Sequence, residues 1–278
     1  MPISLVTALI ILALAGIIVG FGEGFLGIGG SFIMVPVMFW LFTALGVAPD
    51  IAIKLAFGSA LLVIFPTSIS GTLAHTRKEA VWWKAAIILG ICGTIGAIIG
   101  STITALFLNA AILKPVFGLI VAFGAIWMLI GKLPEVEEDP KEVPLVWACL
   151  GFPIGVLSGL ISIGGGIITV PALTMGLKFK MHRAVGTSLA MIVFTSFGGA
   201  FGYVMHGLSV PGLPPFSIGY VNLLACACLV TTSIPVAQLG ARTAHKLPET
   251  QLRYAFTALM FYIALKMVGV FEWLGLPL

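Results

Sequence analysis

Charge is what this sequence has least of. Its 14 Lys and Arg and 10 Asp and Glu make up 9% of 278 residues, against roughly 25% in a soluble domain. With 60% hydrophobic residues and a mean hydropathy of +1.18, the chain cannot cover a water-facing surface, which excludes a soluble domain of this length. Cysteine is scarce as well. Cys92, Cys149, Cys226 and Cys228 all lie inside apolar runs. The last two stand about 200° apart on a helix, which argues for small buried residues rather than a shared metal site. Enzyme signatures are missing. There is no HExxH, no GxSG-type serine motif with a matching His, and no Walker A sequence, and the only aspartates are Asp50 and Asp139, both at loops. Intramembrane proteolysis and direct ATP drive are thereby disfavoured, and nothing points to a metal, a cofactor or a nucleic-acid partner. The start, MPISLVTALIILALAG, lacks the basic opening of a signal peptide and reads as a retained membrane segment.

What is present is apolar sequence in ten stretches, about 3–21, 30–47, 51–75, 83–108, 112–131, 144–162, 166–177, 184–206, 216–244 and 252–274. A membrane helix needs about 20 such residues. The fold class is therefore an all-α polytopic membrane protein whose main partner is the lipid bilayer. One strongly polar run, Lys132 to Pro144, divides it into a first transmembrane unit (1–132), a solvated linker (133–143) and a second unit (144–278).

The two units repeat each other. GFGEGFLGIGGSFIMVP (20–36) lies over GVLSGLISIGGGIITVP (155–171) without a gap, matching Gly29 with Gly164, Gly30 with Gly165 and Pro36 with Pro171. AFGSALLVIFPTSISG (56–71) lies over AVGTSLAMIVFTSFGG (184–199), matching Thr67 with Thr195 and Ser68 with Ser196. Two ordered blocks that share their Gly, Pro and hydroxyl positions indicate internal duplication.

Basic residues set the topology. With the N-terminus outside and segments crossing, or entering and returning in pairs, 11 of the 14 basic residues fall on the cytoplasmic side, leaving Lys54, Lys114 and Lys266. Five segments per unit is an odd number. The second unit is therefore expected upside down, as two inverted repeats with Gly-broken helices, in the inner (plasma) membrane with both termini extracytoplasmic.

The runs Gly27 to Ser31 and Ser162 to Gly166 sit between apolar stretches with no charge to mark a surface. A broken helix at membrane depth is tolerated only where protein walls a cavity. The helix restarting after it offers free N–H groups to an anion. Gly29, Gly30, Ser31, Gly164, Gly165 and Gly166 are thus candidate substrate-binding residues. Ser59, Thr67, Thr187, Ser188 and Thr195 supply hydroxyls. The competing readings are close helix packing, which suits Gly16, Gly20, Gly24, Gly155 and Gly159, and hydroxyls bonded to their own helix carbonyls. Glu23 is the acid deepest in an apolar stretch, a coupling candidate or a side chain reaching the interface. Lys54 and Arg183 near segment ends could attract an anion, whereas such positions, with His75 and His182, usually snorkel. Trp40, Trp82 and Trp83 read as interfacial anchors.

Read as GIGGSFIMVP (Gly27 to Pro36), SIGGGIITVP (Ser162 to Pro171), Gly58-Ser59-Ala60 and Gly186-Thr187-Ser188, the duplicated pattern resembles the TauE/SafE family, also called the toluenesulfonate-uptake permease group. The resemblance covers nearly the whole chain. It implies a secondary transporter, commonly an exporter, of small sulfur-containing anions such as sulfite, sulfoacetate or other organosulfonates. Ser31 stands where the family has a third glycine, and Gly58-Ser59-Ala60 departs from Gly-Thr-Ser. Glu23 is not part of the family pattern. Alternating access is the expected mechanism, an anion channel or an uptake permease the alternatives, and a membrane enzyme or sensor the reading from another class. Coupling to a proton or other ion, and pairing as a homodimer, stay open.

Overall fold

The computed structural model describes residues 5–27, 29–130 and 143–246, and beyond them residues 251, 254, 257, 258, 261, 262, 264, 265, 268 and 269. The expected linker, Val143 apart, and most of the stretch 252–274 lie outside the described residues. The first half forms α1 (Leu5–Leu26), α2 (Ser31–Ala44), α3 (Pro49–Thr76), α4 (Trp83–Phe107) and α5 (Ala110–Ile130). The second forms α6 (Pro144–Ile161), α7 (Gly166–Pro171) continued by a π-helical turn over Ala172–Gly176, α8 (Met181–Gly207) and α9 (Leu223–Ala244). Six of these helices, α1, α3, α4, α6, α8 and α9, are long and apolar enough to cross a bilayer. The 14 residues of α2 rise only about 21 Å, short of the roughly 30 Å hydrocarbon core. The chain is a polytopic all-α membrane protein.

Local chemistry sets the boundaries. Pro49 opens α3 and Pro144 opens α6, where a missing N–H costs nothing. Asp50 Oδ1 accepts the Ala110 N–H at 2.8 Å and so caps α5 from another helix. Asn222 Oδ1 caps α9 by accepting the Ala225 N–H at 3.0 Å. One expectation needs correction: 216–244 is not a single helix. Its start is a short antiparallel hairpin of β1 (Ser217–Ile218) and β2 (Val221–Asn222), because Phe216 and Gly219 take φ of 64° and 55°, outside the right-handed helix.

The main helix pairs of one half have counterparts in the other. α1 lies on α9 as α6 lies on α4, α3 touches α9 as α8 touches α4, and α3 meets α8 at the centre. The α1–α9 and α6–α4 contacts are backbone to backbone. A Cβ on Gly16, Gly20 or Gly24 would run into the main chain or hydroxyl of Leu229, Thr232, Ser233 or Ala237. One on Gly151, Gly155 or Gly159 would run into that of Leu89, Gly93 or Ala97. These glycines are packing residues of the small-residue kind. The opposite face of α1 turns Ile10, Leu14, Ile17, Ile18 and Phe21 outward, and α4 turns Ile87, Ile91, Ile95 and Ile99 outward. Stripes this apolar fit lipid, not water.

Among the described residues, most basic side chains sort to one end. There the end of α3, the starts of α4 and α8 and the end of α9 meet: His245 Nε2 lies 3.2 Å from His75 Nδ1, and Arg183 sits 5.2 Å over the Trp82 ring. At the other end Lys54 Nζ donates to Ala105 O at 2.8 Å, and Lys114 lies 4.2 Å over Phe39. Replacing Gly155 with Val is expected to drive α6 off α4 at a cost of about 3 kcal/mol, seen as a lower Tm and loss of monodisperse protein in detergent. Gly176→Ala, at a position with open space, serves as the control. A wild-type Tm for Gly155→Val would refute this packing.

Candidate functional site

Both glycine runs are genuine helix breaks. Gly27 and Gly29 take φ of 67° and 75°, and Ser162, Gly164 and Gly165 take 58°, 73° and 92°. This left-handed region suits glycine. Ser162 tolerates it while its hydroxyl donates to Phe57 O at 2.6 Å. The repeat partner of Ser162 is Gly27, and there a Cβ would meet Val185 O at 2.6 Å instead. One half uses a hydroxyl where the other uses bare backbone.

The breaks touch. A Cβ on Gly29 would fall 2.7 Å from Ile163 O and 3.7 Å from Ile64 Cδ1. One on Gly164 would lie 3.3 Å from Ile192 Cγ2 and 3.6 Å from Ile64 Cγ2. Ile64 and Ile192, themselves repeat partners, thus hold the two breaks against one apolar wall. From this locus α2 starts at Ser31 behind Gly30, and α7 starts at Gly166 behind Gly165.

The unwound carbonyls are held from α8. Ser188 Oγ donates to Gly27 O at 2.8 Å and Thr195 Oγ1 to Gly164 O at 2.9 Å. These hydroxyls anchor the breaks. Ser59 and Thr187, repeat partners, each accept a main-chain N–H just before a helix: Asn222 at 2.9 Å ahead of α9 and Trp82 at 3.0 Å ahead of α4. Thr67 donates to Val63 O in its own helix and contacts Ser233 Oγ at 2.7 Å. Lys54 and Arg183 stand at opposite ends of the bundle, Arg183 two residues before Val185, which packs on Gly27. Snorkelling does not describe His75, which is fully buried with Nε2 2.9 Å from Gly24 O.

Three buried side chains beside the breaks have no hydrogen-bond partner for their polar atoms: Glu23, Ser31 and Ser158. Glu23 lies inside α1, and the Gly30 main-chain amide faces its carboxylate. Ser31 is the first residue of α2. Ser158 Cβ lies 3.8 Å from where a Gly165 Cβ would stand. Glu23 and Ser158 occupy the same place in the two repeats. Orphaned buried polar atoms cost about 1–3 kcal/mol each, which makes Ser31 at the start of α2 and Ser158 beside Gly165 candidates to meet a polar ligand. Ser158 was missed from sequence, although its alignment with Glu23 was the available signal. No group of His, Cys, Asp and Glu that could hold a metal occurs among the described residues.

The fold is that of a polytopic membrane protein in which two broken helices meet at their breaks. Residues 12–267 match the model of the sulfite exporter TauE/SafE family, and the chain belongs to that family. It is similar to a probable membrane transporter protein of Methanocaldococcus jannaschii (31% identity over 93% of this chain and 94% of that one). It is also similar to one of Haemophilus influenzae (28%, over 94% and 98%) and to YunE of Bacillus subtilis, a probable membrane transporter protein (27%, over 95% and 99%). No solved structure matches. The family is one of membrane transporters, not enzymes.

A second cluster lies at the basic end, where His182 stacks on His245 with ring centroids 4.9 Å apart. Residues so distant in sequence gave no linear signal of this contact. Burial, then the charges of His182 and Lys78, lower the His245 pKa below its usual 6.5. The unfolded chain therefore binds the proton more readily, and stability is lost as pH falls through and below about 6.5. Tm in detergent is expected to drop between pH 7.5 and pH 5.5, and less so for His245→Asn. An unchanged slope in that variant would contradict the assignment.

Proposed function

We propose that the chain is a secondary transporter, in the export direction, of small sulfur-containing anions such as sulfite or organosulfonates, working by alternating access. The observation that carries this reading is the meeting of two left-handed glycine breaks beside the unpartnered hydroxyls of Ser31 and Ser158. The first N–H groups of a helix have no acceptor within it, and the positive end of the helix favours an anion. In this reading the substrate oxyanion is held by main-chain amides around Gly29–Ser31 and Gly164–Gly166 and by the two serines, without a buried cation. Neutral donors release an anion more readily than an arginine would, which suits a carrier that must let go on the far side.

Helix directions support an inverted relation of the halves. α1 runs alongside α9, and α6 alongside α4, in the same sense. α4 starts at the basic end and α9 finishes there, so α1 and α6 point oppositely. By the positive-inside rule the basic end is cytoplasmic, in the inner membrane, and the N-terminus outside. Each broken pair then enters and returns, α1–α2 from outside and α6–α7 from inside, with the breaks meeting between them.

A thermal-shift screen of the purified protein against sulfite, sulfoacetate, taurine, sulfate and carboxylate analogues is expected to rank a sulfur oxyanion first. Ser31→Ala and Ser158→Ala should each weaken that binding about five- to tenfold, the worth of one hydrogen bond, without lowering Tm. A sugar or neutral amine as best stabiliser, or serine variants that bind like wild type, would overturn this reading.

A further inference from the structure

We propose that Glu23 is a built-in competitor for the substrate anion, so that the anion binds at the first break only when a proton binds Glu23. This deepens the transport reading and rests on it. Glu23 is fully buried in α1 and neither carboxylate oxygen has a hydrogen-bond partner. The group facing it is the main-chain amide of Gly30, which precedes the first turn of α2 and belongs to the proposed anion site. An ionised Glu23 and a bound oxyanion would contend for the same donor and repel each other at short range in a low-dielectric interior. A protonated Glu23 carries no charge and leaves the Gly30 N–H to the substrate.

The fold does not require a carboxylate here. Ser158 fills the repeat-equivalent place beside Gly165, so the second break has no competitor and the proposed count is one proton per anion. In the cycle, one proton from the side of binding joins the Glu23 carboxylate and one anion enters the breaks. After the switch both leave on the far side, and the Glu23 carboxylate is again ionised beside the Gly30 amide. Proton and anion travel in the same direction, so export runs on the substrate gradient and, for a dianion, on the inside-negative potential rather than on the inward proton gradient.

At the Glu23 end of α1 the titratable and charged groups of the elements packed on it are His75 of α3 with Arg77, Lys78 and Glu79 beyond its end, His182 and Arg183 of α8, and Arg242 of α9 with His245 and Lys246 beyond its end. Cys228 of α9 meets the other end at Leu9 O, where Asp50 and Lys54 of α3 also lie. α2 contributes none. His75 is the nearest rival for a proton-linked role. A carbonyl only accepts, so His75 Nε2–H donates to Gly24 O, and its Nδ1 accepts the Nε2–H of His245. Both its nitrogens are engaged away from the carboxylate.

The test uses full-length protein in proteoliposomes with sulfoacetate as probe, whose own charge is constant from pH 6 to pH 8. In wild type, sulfoacetate affinity should weaken with rising pH by up to about tenfold per unit, and an inward sulfoacetate gradient should acidify a lumenal pH dye. Glu23→Gln should bind with a pH-independent affinity near the wild-type value at pH 6, and should move sulfoacetate without acidification. Glu23→Ser, copying position 158, is the second variant should Glu23→Gln fold poorly. A wild type with flat affinity and no acidification overturns the proposal and leaves the transport reading standing. So does a slope that survives Glu23→Gln but vanishes in His75→Asn. A wild type that neither binds nor moves sulfoacetate or sulfite overturns the transport reading and this proposal with it.

Discussion

Peptide groups released from a helix inside a bilayer can be satisfied only by other protein, and that constraint organises this molecule. Each break needs acceptors for its N–H groups, donors for its carbonyls and walls against lipid. The donors come from α8, through Ser188 to Gly27 O and Thr195 to Gly164 O. The walls come from Ile64 and Ile192. Bringing these elements close enough demands the glycine stripes of α1 and α6, because a single Cβ there would collide with the neighbouring main chain. The outer stripes of isoleucine and leucine then need only fit lipid.

Duplication leaves the same architectural place chemically different in the two halves. Ser162 bonds Phe57 O where Gly27 packs bare on Val185 O. Glu23 stands where Ser158 does. The scaffold contacts, by contrast, are kept: Ser59 and Thr187 accept equivalent amides at equivalent helix starts. At the two positions beside the breaks, Gly27 with Ser162 and Glu23 with Ser158, the halves differ in chemistry.

Much of this was legible in sequence because the signals were spaced and local. Charged and turn residues bounded most of the described helices to within a few positions, and the two glycine runs fell where α2 and α7 begin. Composition alone already required a bilayer, and the family match agrees with the motif resemblance. What stayed hidden depended on tertiary contact. Hydroxyl roles could not be sorted, because Ser188 reaches a break from α8 while Thr67 bonds within its own helix. The depth of Glu23 was uncertain until α1 was seen to run on to Leu26. His75, His182 and His245 meet only when three helix ends converge. The hairpin at 217–222 was concealed by its apolar composition.

The proposed transport requires a sulfur oxyanion seated between the two breaks. Selenite, the heavier analogue of sulfite, can be located directly by anomalous diffraction from crystals of the protein grown with it. The expected result is one strong peak within hydrogen-bond distance of Ser31 and Ser158. A bound selenite ordered elsewhere in the protein, with the space between the breaks closed by side chains, would contradict it.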